Sequence, residues 1–170
     1  MDKPKGLADR IETWMRKIPG VRTYLEREHR RETDKKLREH LASRLQEFRS
    51  QVKKITLDLT TQGQMESLAK LDRFSSHLQQ MADTIRYASY GYSGIFDLEK
   101  IREDELDRLY AFDLSLVEEL ERIQKSVEEI GPAGTPEARE KKIAEAGDLV
   151  DSLEKKFNQR KEFISQPPPK

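Results

Sequence analysis

The reactive inventory of this chain is short. Cysteine is absent and histidine occurs three times, as His29, His40 and His77. The lack of cysteine excludes disulfides, thiol nucleophiles and thiolate metal sites together. A di-iron helical bundle needs two Glu-x-x-His pairs and two further carboxylates, because four helices must all aim ligands at the metals. Only Glu26 and His29 have that spacing, inside an all-polar stretch, while His40 and His77 follow Leu37 and Phe74 at the same offset. No Gly-rich phosphate loop, Gly-x-Ser-x-Gly elbow or spaced Ser/His/Asp set occurs. Glu103, Asp104, Glu105 and Asp107 are clustered carboxylates, but in the first turn of a helix they serve the macrodipole and solvation. We therefore expect no catalytic, metal or cofactor residues and no small-molecule substrate.

Three other features carry more information. Asp113 interrupts the apolar run Leu109 to Leu114, and its offset from Leu106, Leu109, Val117 and Leu120 turns it toward a helix seam. A carboxylate there needs a partner, and Arg73 or Arg86 is the basic residue expected to fix helix register by pairing with it. The second feature is the segment 87–97, YASYGYSGIFD, in which Tyr90, Tyr92, Ile95 and Phe96 are interleaved with Gly91 and Gly94. These aromatics either plug the end of a bundle or anchor a partner, since aromatics are favoured interface residues. Trp14 poses the same question on a short amphipathic helix: it docks on its own bundle, meets a partner, or lies on an anionic membrane beside Lys3, Lys5, Arg10, Arg16 and Lys17.

The third is charge. The formal net charge is zero, yet residues 1–60 hold 16 Lys+Arg against 10 Asp+Glu, and residues 97–130 hold 5 against 12. A basic front half thus faces an acidic later helix, within one chain or between copies. The basic run from Arg22 to Arg49 could in principle meet phosphates, but Glu26, Glu28, Glu32, Asp34 and Glu39 interleave with it at helical ion-pair spacing. Nucleic acid therefore ranks below protein and membrane surfaces as a partner.

The elements that must position these residues are all helical. At 170 residues the chain supports one modest core, and 38% charged residues with only 8 Gly and 7 Pro suit long amphipathic helices. The spacing predicts helices over 7–18, 21–61, 64–88, 98–130 and 136–165, with Asp97 and Thr135 as N-caps. Leu37, Leu41, Leu45, Phe48, Val52, Ile55 and Leu59 form a coiled-coil-like seam. Residues 26–36 are polar without interruption, so the start of that helix is expected to project beyond the core. The resulting organisation is all-α: a short N-terminal amphipathic helix in 1–20, and an antiparallel three-helix core in 21–130. A Gly/Pro linker over 131–136, a further helix over 137–165 and a non-helical tail over 166–170 complete it. The last helix has a full apolar stripe with one polar intruder, Arg160, and either closes its own bundle or swaps onto a second copy.

Ile18-Pro19-Gly20 with the charged helix to Leu45, and Arg86 to Asp97, resemble an uncharacterised group of bacterial all-helical proteins over residues 18–130. The resemblance implies a bacterial source and an accessory role beside SPFH-type membrane scaffolds, and assigns no activity. Together the readings point to a cytoplasmic, non-enzymatic interaction or scaffolding module that self-associates. Membrane-surface binding through Trp14 and nucleic-acid binding through the basic helix are the alternatives.

Overall fold

A computed structural model of the chain describes residues 9, 10, 13, 30–89 and 103–165. Four long helices lie among the described residues, α1 (Arg30–Thr61), α2 (Leu68–Arg86), α3 (Glu103–Glu128) and α4 (Pro136–Ser165), with no strand between them. The expected helix starts over 21–29 and 98–102 lie outside the described residues. The turn before α2 is longer than the spacing suggested: residues 64–67 are not helical, and Met65 among them is more than half exposed.

The boundaries follow from local chemistry. Gly63 takes φ +73°, the left-handed conformation that costs a side-chain-bearing residue energy. With it, the Gln64 amide reaches the Leu59 carbonyl and the Gly63 amide reaches Thr60, which closes the end of α1 in a Schellman motif. At the start of α4 the Thr135 hydroxyl accepts the Ala138 amide at 3.2 Å and Pro136 fills the first helical position. Thr135→Ala should therefore lower stability by about 1 kcal/mol, read as a shifted urea midpoint with an unchanged denaturant slope.

Packing turns these helices into one bundle. α1 packs on α2 and α3, and α4 packs on α3 and α2, so α1 and α4 face each other across the centre, as do α2 and α3. Successive helices alternate in direction. α2 and α3 stand at diagonally opposite corners of the bundle, and α1 and α3 are parallel neighbours. Their common direction is visible where Arg44 reaches Gln124 and Ile55 lies against Gly131 further along both helices. A single apolar cluster draws on all four helices, including Leu41, Leu45, Phe48, Leu78, Leu116, Ile123, Leu153 and Phe157. The stripe of α4 is thus buried against its own chain, and α4 belongs to the same core as the other three helices.

One expectation is corrected here. The described part of the polar stretch, from Arg30, does not project: Thr33 and Asp34 are buried at 4% and 5% exposure. Asp34 is drawn inward because the bundle interior holds a cation for it.

Candidate functional site

That cation is Arg160. Its side chain is 1% exposed, in the middle of the apolar stripe of α4. Its Nε donates to the Asp113 carboxylate on α3, and its Nη1 lies 2.8 Å from Asp34 Oδ1 on α1, reaching across the bundle diagonal. Asp34 in turn accepts from Arg38 Nε at 2.9 Å, one helical turn along α1. Arg38 Nη1 then donates to the carbonyls of Arg86 and Ala88 at 3.0 and 3.1 Å, gathering the C-terminal end of α2. Two guanidinium and two carboxylate groups thus balance one another in a chain that touches every helix.

Asp113 is buried as its seam position requires, at 1% exposure. Its partner is Arg160, a correction to the expected Arg73 or Arg86. Arg73 is exposed on the outer face of α2, and Arg86 enters the network through its backbone carbonyl. Sequence reasoning noted Arg160 as an intruder and Asp113 as an interruption without joining them, and it missed Asp34 and Arg38. The signal was present: two opposite charges, each breaking an apolar stripe, on helices joined by a short linker.

A second arginine works at the opposite end. Arg139 is 4% exposed, and its Nη2 donates to Gln64 Oε1 at 3.2 Å and to the Ala133 carbonyl at 3.0 Å. It pins the α1–α2 turn to the α3–α4 turn.

Between the parallel helices α1 and α3 runs a cleft of about 290 Å³ lined by His40, Arg44, Val117, Leu120, Glu121 and Gln124. Arg44 lies over the Phe48 ring at 5.1 Å and pairs with Glu47. Burial pushes the His40 imidazole below its ordinary value of 6.5, and the Arg44 charge adds to this while Glu47 opposes it. Because the folded value is the lower one, protonation favours the unfolded chain. The contribution of His40 is therefore complete above pH 6.5 and is lost as pH falls below it. A His40→Gln variant should show a flatter stability–pH profile between pH 5 and 7 by chemical denaturation, about two units around the reference value.

On the surface, described residues of the basic run pair within their own helix: Lys36 with Glu32, Lys35 with Glu39, and Arg44 with Glu47. The short N-terminal helix is represented by Asp9, Arg10 and Thr13, with Thr13 Oγ1 donating to the Asp9 carbonyl and Arg10 paired with Glu118 on α3. Trp14 lies outside the described residues, as do Tyr90, Tyr92, Ile95 and Phe96. Tyr87, three residues before that aromatic group, is the C-cap of α2 and is 75% exposed. No helix among the described residues is long and apolar enough to cross a membrane.

No known protein family, curated protein or solved structure matches this chain.

Proposed function

We propose that this chain is a non-enzymatic helical interaction module that self-associates, and that its contact surface lies at the end of the bundle where α2 stops. The observation that carries this reading is Tyr87, a large aromatic side chain 75% exposed on a stem that Arg38 holds rigid through the carbonyls on either side of it. Exposed aromatics on a pre-organised backbone are the usual anchors of an interface, because little side-chain entropy remains to be lost on docking. Tyr90, Tyr92, Ile95 and Phe96 follow at once in the sequence and extend the same apolar character. The setting proposed is the cytoplasm.

Two sequence features that pointed to exchange between copies are met within one chain: the stripe of α4 packs on α2 and α3, and basic α1 lies beside acidic α3. Self-association is accordingly assigned to the aromatic end, without exchange of α4. The test is to truncate Tyr87 and Tyr92 to alanine, singly and together, and to follow mass by light scattering and fold by circular dichroism. Variants that stay helical but lose association support the reading; association indifferent to both residues removes it. The alternative of a membrane-surface role for the Trp14 helix is separated by vesicle co-sedimentation with Trp14→Glu as the control.

A further inference from the structure

We propose that His77, Asp151 and Glu154 form a binding site for a divalent transition-metal ion, with Zn²⁺ the best match. The three side chains come from the parallel neighbours α2 and α4, and each offers one donor atom within 4.8 Å of the other two. His77 Nε2 lies 3.3 Å from Asp151 Oδ1. Four ligands at about 2.0–2.1 Å in a tetrahedron stand about 3.3 Å apart, so this edge already has the length a bound Zn²⁺ would impose. Asp151 and Glu154 are three residues apart on α4 and so share a face. The His77 side chain is 30% exposed, so the imidazole is partly enclosed by the bundle.

Charge supplies a separate argument. Several carboxylates around α4 are matched by lysine, as in Lys70–Glu140, Lys142–Glu129 and Lys156–Glu119. Among the described residues neither Asp151 nor Glu154 has a lysine or arginine within ion-pair distance, and Asp151 has His77 beside it. Two carboxylates beside an imidazole offer one nitrogen and two oxygens, a donor set that selects a zinc-class ion over Mg²⁺ or Ca²⁺, which take oxygen ligands alone. Three protein ligands would leave a fourth position for water. An ion held there would also clamp the α1–α2 hairpin to the α3–α4 hairpin along the α2–α4 seam. The ligands were invisible in the sequence because no Glu-x-x-His spacing joins them.

The test is calorimetric titration of the metal-stripped full chain with ZnCl₂, with Mg²⁺ as the second probe. One Zn²⁺ per chain is expected, with affinity at least about tenfold weaker in His77→Gln and in Asp151→Asn, since losing even a supporting group of a metal site costs that much. His40→Gln should bind as the parent does, and circular dichroism should show every variant folded. Zinc uptake that His77→Gln leaves unchanged, or no uptake by the parent chain, would overturn the site. Mg²⁺ binding with the same dependence on His77 would overturn the assignment to a zinc-class ion.

Discussion

Replacing Arg160 with methionine should cost about 3–5 kcal/mol of stability, because it removes the cation between two carboxylates that folding has taken out of water. Asp34 keeps Arg38 at 2.9 Å, but Asp113 is left in the interior without the guanidinium that faces it. Stability measured by urea unfolding should recover most of this loss in the double variant Arg160→Met/Asp113→Leu. Replacing both partners of a buried pair with apolar groups of similar size is often neutral or stabilising. A double-mutant cycle on these two positions thus separates the attraction between the charges from the cost of burying them. If the single variant matches the parent, the ionic centre has no part in holding the bundle together.

The second large effect should come from Phe48→Ala, at about 3–5 kcal/mol. Phe48 is fully buried on α1 and belongs to the cluster shared by all four helices. Truncation leaves a cavity that the packed helices close only in part, and it also removes the ring beneath Arg44. Thermal unfolding should remain one cooperative transition at a lower temperature. Two separated transitions would instead mean that the hairpins α1–α2 and α3–α4 fold as independent units.

The comparison of sequence with structure separates what periodicity can reveal from what it cannot. Stripes such as Leu37 to Leu59 and Ile143 to Ile164 were legible because a helix presents every third or fourth residue to one side, and these are the residues the core buries. Gly63 and Thr135 were legible because a left-handed cap and a hydroxyl N-cap have distinct residue preferences. The diagonal placement of α2 and α3 was not legible, since apolar stripes show that helices pack and leave open which of them are neighbours. The ionic centre was half legible for the same reason. Asp113 announced that it needed a partner, but choosing Arg160 over Arg73 or Arg86 required knowing that α4 packs on α3. Asp34 was hidden more completely, because a run of polar residues shows no stripe, and only the inward-facing Arg160 turns one of them into a core residue.

Two arginine clasps brace the ends of the bundle. Arg38 fixes the end of α2, and Arg139 ties together the turns at the other end. The Arg38 clasp holds the backbone on either side of Tyr87, which is the basis of the interaction role proposed for that residue.

Light scattering on the purified chain at high micromolar concentration, beside its Tyr87→Ala variant, tests that role most directly. Self-association through the aromatic end predicts a mass of twice 19.9 kDa or more for the parent, falling toward 19.9 kDa for a variant that keeps its helical spectrum. A mass of 19.9 kDa for both proteins would contradict it.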